Sequence, residues 1–350
     1  MQMVNNIHDA LFRETMSHKE VAADFMRQYL PEAVVRHVRL ETLAICKDTF
    51  VAPDQTMHHS DLLYEVRLSG DRPAYVYFLF EHKSTPDRFV ALQVLRYMLE
   101  IWELARKQRK ARRILPLIIP IVVYHGKTRQ RAVHLGELVD LPDAGFKAYV
   151  PDFALAFHDF SPGSEERIKG SIILRLMLTC FRAKNDPRAI EHLLDIYRVL
   201  SELDDDEPSL RWVQVIFRYL TQTMDIEENV MHDAAEMLLS STKKGTIMTL
   251  AERLLHRGKQ EGRQEGRQEG RLLLLQRQLT KRFGQDVLDI RVQERLRTAT
   301  SEQLDLWAER ILMPGPSRMF SAIFRKIRLE SGCGDDALER MATDLGWMSR

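Results

Sequence analysis

Glu81-His82-Lys83 is the one place in the 350-residue chain where an acid is followed two positions later by a lysine. It closes the run Tyr75-Val76-Tyr77-Phe78-Leu79-Phe80, an aromatic and β-branched composition that suits a buried strand. Side chains two apart on a strand share a face, so Glu81 and Lys83 are expected to project together from the strand end. Asp61 stands at the head of a second apolar run, Leu62 to Leu68, and Ser69-Gly70-Asp71-Arg72-Pro73 between the runs reads as a turn. Two strands joined by that turn bring Asp61 beside Glu81. Two carboxylates and an ammonium group meeting at one point suit magnesium-dependent cleavage of a phosphodiester. The plain alternative is a solvated salt bridge at a strand end.

More of the chain bears on that choice. His8-Asp9-Ala10-Leu11-Phe12-Arg13, Leu30-Pro31, Ser60-Asp61-Leu62-Leu63 and Phe80-Glu81-His82-Lys83-Ser84 occur in that order. Leu95-Arg96-Tyr97-Met98, Ile101-Trp102-Glu103 and Pro120-Ile121-Val122-Val123-Tyr124-His125-Gly126 follow. This series resembles the Rpn family of recombination-promoting nucleases, transposase-like members of the PD-(D/E)XK superfamily. Two positions differ from the common patterns. Lys83 stands where many members of the family have Gln, and Ser60 rather than Pro precedes Asp61. The resemblance implies an α/β fold, a restriction-endonuclease-like mixed sheet flanked by helices, followed here by an all-α C-terminal region. It implies a metal-dependent DNA endonuclease tied to recombination or mobile elements. Asp61, Glu81 and the main-chain carbonyl of His82 would hold Mg²⁺ or Mn²⁺, both of which take hard oxygen ligands. Lys83 would orient the attacking water or steady the developing phosphorane charge. The competing expectation is a catalytically inactive DNA-binding or partner-binding protein that keeps the fold.

Several elements must position that site. Residues 8–30 have the apolar spacing of an amphipathic helix ending at Leu30-Pro31. Asp9 at its start faces the site, as acids from the first helix do in related nucleases, or serves the helix dipole. Residues 38–50 read as a connection. Ser84-Thr85-Pro86-Asp87 opens a helix expected over residues 88–113. Gln93 on its first turns reaches back to the site, as Gln or Lys does in related nucleases, or is an ordinary surface residue. The helix ends in Arg106, Lys107, Arg109, Lys110, Arg112 and Arg113, six basic residues within nine. These read as a DNA-contacting patch beside the active site, or as cations suited to a helix C-terminus; a nuclear signal is a further pattern-level reading. Ile114 to Tyr124 reads as a second buried strand beside the first. His125 at its end lines the site or packs the loop. Residues 150–157 read as an edge strand. His58 and His59 invite a zinc reading, but adjacent strand residues point to opposite faces, and no His or Cys cluster accompanies them.

Composition bounds the rest. Fifty-one basic and 50 acidic residues leave a formal charge of +1, so a nucleic-acid surface must be local. Cys46, Cys180 and Cys333 have neither metal nor disulfide spacing, which suits packing roles in a reducing cytoplasm. The apolar run ending at Val123 contains Pro116 and Pro120 and is too short to span a bilayer, so no membrane partner is expected. The expected layout is a nuclease domain over residues 1–205, a helical extension over 206–257, a repeat over 258–271 and a small helical domain over 272–330. The repeat, Gly-Lys-Gln-Glu and then Gly-Arg-Gln-Glu twice, reads as a charged linker or as a helix stabilised by a partner. A second copy of the chain is the expected partner there.

Overall fold

A computed structural model describes residues 7–46, 62–81, 87–108, 114–184, 186–283, 288 and 290–312. The chain divides into two compact units, Met1–Glu252 and Arg253–Arg350.

The first unit is built on one five-stranded sheet in the order β1-β2-β3-β4-β5. These strands are β1 (Val38–Ile45), β2 (Leu62–Leu68), β3 (Arg72–Glu81), β4 (Leu117–Tyr124) and β5 (Ala156–Asp159). β1, β2 and β3 pair antiparallel, whereas β4 and β5 continue the sheet in parallel with β3. The β2–β3 hairpin turns where Gly70 and Asp71 both take positive φ, 79° and 59°, a backbone region open to Gly and tolerated by Asp. A parallel pair needs a crossover, and α4 (Val90–Gln108) supplies it between β3 and β4.

Alternation along β3 feeds two cores. Tyr75 and Tyr77 pack with Val90, Val94, Tyr97, Met98 and Ile101 of α4 and with Ile118 and Val122 of β4. The Trp102 indole N–H donates to the Pro116 carbonyl at 2.8 Å and ties α4 to the start of β4. On the opposite face, Phe78 meets Phe25 edge-on at 5.5 Å. Phe25 belongs to α2 (Lys19–Tyr29), which follows α1 (Ile7–Met16) and precedes the single turn α3 (Glu32–Val35). Helices α5 (Ile172–Ala183), α6 (Ala189–Ser201), α7 (Glu207–Thr223) and α8 (Glu228–Leu238) complete the unit. The mixed sheet flanked by helices is thus the architecture expected from the sequence.

Some local expectations are corrected. The helix expected over 8–30 is two helices, because His18 is extended at φ −77°, ψ 111° and its ring packs on Trp212 of α7 at 5.3 Å. The expected connection after Val38 contains β1, whose register shifts between Arg39 and Ala44. That shift breaks the two-residue alternation by which a strand is read. The edge strand expected over 150–157 is displaced to Ala156–Asp159, after a 3₁₀ turn at Ala144–Tyr149. Cys180 is buried, with its thiol pushed up by that burial, and Cys46 packs against the core.

α9 (Ser241–Phe283) is one 43-residue helix that contains the whole Gly-Arg-Gln-Glu repeat. In the second unit its Leu275 and Leu279 pack with Leu296 of α10 (Ile290–Thr298) and with Leu304 and Ile311 of α11 (Ser301–Leu312). Arg271 pairs with Asp305 at 3.2 Å. Among the described residues no helix is long and apolar enough to cross a membrane.

Candidate active site at the carboxyl ends of the parallel strands

The parallel register lines up Glu81, Tyr124 and Asp159 at the ends of β3, β4 and β5. On the other side of β3, Leu62 pairs with Phe78. Leu62 directly follows Asp61 in the sequence, and Phe78 lies three residues before Glu81. Asp61, His82 and Lys83 lie outside the described residues, and Glu81 is described by its main chain.

The rim around these ends is tied together by loops. The Gln130 side chain donates to the Asp87 carbonyl at 2.8 Å, and its main-chain N–H donates to Asp159 Oδ2 at 3.1 Å. The loop after β4 thereby joins the entry to α4 with the end of β5. The Tyr124 hydroxyl donates to the Thr128 carbonyl at 2.9 Å and holds the same loop against its strand. Gln93 sits on the first turn of α4, half-buried, and its main-chain N–H donates to Phe89 at 3.0 Å. Its helix turn is therefore at the same end of the sheet as Glu81.

Behind the rim, α1 and α5 close on the end of β4. The buried His125 ring stacks on Phe181 of α5 at 4.6 Å and 23°, and lies 5.3 Å from the His8 ring of α1. His125 is therefore a packed wall of the site; its ring is not presented to solvent. His8 Nδ1 is 2.8 Å from the Tyr219 hydroxyl of α7. Burial pushes that hydroxyl well above its ordinary pKa, so Tyr219 stays protonated and can donate. Asp9 follows His8 and is half-buried. Its carboxylate is close enough to Lys184 to favour the charged ammonium. Burial dominates nevertheless, and with Lys127 adding repulsion, the Lys184 pKa is lowered to about 8.

Two residues of the basic helix end, Arg106 and Lys107, are described. Arg106 and Lys107 are exposed on the last turn of α4, and Arg109, Lys110, Arg112 and Arg113 lie outside the described residues. α4 leads back to β4, whose Leu117 pairs with Ala74 near the start of β3. Arg106 and Lys107 thus belong to the end of the sheet opposite Glu81, about 20 Å away at the rise of a strand. For these two residues the expectation of a patch beside the active site is corrected. Lys127 and Lys184 are two cations at the Glu81 end that sequence reading missed. Their local patterns are unremarkable, and the fold brings them together from positions 57 residues apart.

The chain matches the family described as "Putative transposase, YhgA-like" over residues 6–211. It is 28% identical over 257 residues to the "Inactive recombination-promoting nuclease-like protein RpnE" of Escherichia coli (strain K12), covering 72% of this chain and 83% of that protein. It is 28% identical over 253 residues to the "Recombination-promoting nuclease RpnD" of Escherichia coli O157:H7, covering 71% and 93%. To the "Recombination-promoting nuclease RpnA" of strain K12 it is 25% identical over 258 residues, covering 72% and 85%. No solved structure matches it. With that match running from α1 into α7 and so containing the whole sheet and its rim, the chain belongs to the YhgA-like transposase family, the Rpn family of these relatives.

Proposed function

We propose that the chain is a metal-dependent nuclease that hydrolyses phosphodiester bonds in DNA and acts in recombination or on mobile elements. The observation that carries the reading is the strand register. It sets the end of β3, at Glu81, beside the end of β4, with the strand that Asp61 heads on the other flank. The names of RpnD and RpnA support the same reaction class.

The donor chemistry fits a hard divalent cation. The carboxylates of Asp61 and Glu81 and the His82 carbonyl are oxygen donors, the set that Mg²⁺ or Mn²⁺ takes. Among the described residues, no three His, Cys, Asp or Glu side chains form an alternative metal cluster. A bound divalent ion would acidify a water and neutralise charge on the phosphate. The Lys83 ammonium would hold that water in line and stabilise the charge that develops on the phosphate oxygens. Gln93, on the first turn of α4, would hydrogen-bond the same water or the phosphate. Asp9, on the first turn of α1, would set the charge balance of the pocket from behind.

Three mutants test these roles because the roles differ. Asp61→Ala and Glu81→Ala should abolish plasmid nicking and weaken Mg²⁺ binding. Lys83→Ala should cut the nicking rate by about 10²-fold or more yet leave Mg²⁺ binding intact, because an ammonium is not a ligand. Nicking by Asp61→Ala at the wild-type rate would refute the site. The relative named inactive favours a second reading, a DNA-binding protein that does not cut. Wild-type protein that binds DNA and leaves it intact with Mg²⁺ or Mn²⁺ would select it.

A further inference from the structure

We propose that Lys184 and Lys127 form a phosphate clamp that holds the DNA backbone at the carboxyl ends of β3 and β4. The proposal rests on the nuclease reading for the identity of the anion as DNA and for the end of the sheet at which its phosphate lies. Three segments distant in sequence meet there. Phe181 stacks on His125 at 4.6 Å, and His125 lies 5.3 Å from His8. Lys184 is three residues beyond Phe181 and keeps helical geometry, φ −54° and ψ −41°, as the C-cap of α5. Residues three apart on a helix share a face, so Lys184 stands over the end of β4. Lys127 is two residues beyond His125, exposed, in the loop that Gln130 ties to the rim. Glu81 is the register partner of Tyr124, which directly precedes His125. Both lysines are therefore at the end of the sheet where the scissile phosphate must lie, which Arg106 and Lys107 are not.

Electrostatics point the same way. A lysine at a helix C-terminus is ordinarily favoured in its charged form by the helix dipole. Lys184 departs from this: burial and then Lys127 disfavour its proton, and Asp9 restores only part of the balance. Lys184 and Lys127 are close enough to repel each other, and Asp9 offsets that repulsion only in part. An arriving phosphodiester offsets the repulsion between the lysines and replaces lost hydration with charge-assisted hydrogen bonds. The long flexible stems let both ammonium groups follow a backbone that bends or slides.

The test uses full-length protein and a labelled 20-base-pair duplex without divalent metal, with affinity read by anisotropy across a salt series. Lys184→Gln and Lys127→Gln should each weaken binding about three- to tenfold near 0.1 M salt and lower the salt slope by about 0.9. Lys184→Arg should retain the slope. Arg106→Gln with Lys107→Gln should leave it nearly unchanged. Unchanged slopes in both Gln variants would overturn the clamp, as would loss in Lys184→Arg equal to that in Lys184→Gln, which assigns Lys184 to the fold. Lys127 is exposed, so its variant keeps the test sound should Lys184 variants unfold. Plasmid nicking with Mg²⁺ separates the two readings. Wild-type nicking with unchanged slopes defeats the clamp and leaves the nuclease; DNA binding with the expected slope losses but no nicking defeats the nuclease and leaves the clamp. A wild-type protein that binds no DNA defeats both.

Discussion

Asp186 shows what a single buried charge costs and gives in this fold. Its carboxylate is nearly inaccessible yet meets Arg188 at 3.1 and 2.8 Å through two guanidinium nitrogens, accepts the Arg188 main-chain N–H at 3.0 Å and lies 3.0 Å from His192 Nε2. The Arg188 guanidinium, against the penalty of burial and with help from His192, holds the carboxyl well below the usual carboxylate range. Asp186→Asn should lower stability by about 1–3 kcal/mol at pH 7, because it leaves the Arg188 guanidinium half-satisfied. The sign of the pH dependence follows from the lowered value. The contribution is fully present above the unfolded carboxylate range, about pH 4, and fades as pH falls towards the folded value. Urea midpoints of the two proteins should therefore converge as pH drops from about 5 to 2. A gap that stays constant over that window would mean that the carboxylate does not carry the effect. At this scale the sequence was informative wherever partners are close along the chain, and silent where they are not. Acid-x-Lys spacing exposes Glu81, but nothing near Lys184 or Tyr219 announces that they meet Asp9 and His8.

Strands were legible where the residues are mostly apolar, β-branched or aromatic and well covered. β2 and β3 meet both conditions, with Leu62 to Tyr64 and Ala74 to Phe78 buried, and their turn is marked by Gly70-Asp71. β1 does not, since it is an edge strand that carries Arg39, Glu41 and Thr42 and has an irregular register. The repeat inside α9 is the reverse case, with a plain pattern whose structure composition does not fix. Gly258, Gly262, Gly266 and Gly270 lie on the exposed middle of that helix, and a Cβ at any of them would meet nothing within 4 Å. Within one chain, Gly262→Ala and Gly266→Ala should each stabilise the helix by up to about 1 kcal/mol. If a second copy of the chain packs on residues 258–330, as we propose, the glycines are where the helices approach, and the added methyls should weaken that association. Light scattering and helix melting on the double variant separate the outcomes. A higher melting temperature with an unchanged number of subunits, together with the same number of subunits for a chain ending at His256, would exclude an oligomer through this region.

The whole first unit is held together by contacts that cross its expected internal boundaries. The family match ends at residue 211, five residues into α7. Yet α7 sends Trp212 against His18 at 5.3 Å and the Tyr219 hydroxyl against His8 Nδ1 at 2.8 Å. Val213, Ile216, Phe217 and Leu220 of the same helix are buried. Each apolar side chain of this kind contributes about 1.5–3 kcal/mol when removed from water, so the four together are comparable with the roughly 5–15 kcal/mol by which a domain is stable. The helix also backs the site, because His8 adjoins Asp9 and faces His125. Residue 252, where the chain divides, lies beyond α7 and α8. A chain ending at residue 252 should therefore fold cooperatively, whereas one ending at residue 205 should expose the apolar sides of α1 and α5 and aggregate or melt far lower. Tyr219→Phe in the full chain removes only the hydroxyl and refines the test. It should cost about 1 kcal/mol of stability and, by releasing the His8 ring beside Asp9, lower nicking by more than that loss explains at a temperature where the variant is fully folded. Normal folding and nicking by the chain ending at residue 205 would show that α7 only covers the site from outside and supports neither the fold nor the chemistry.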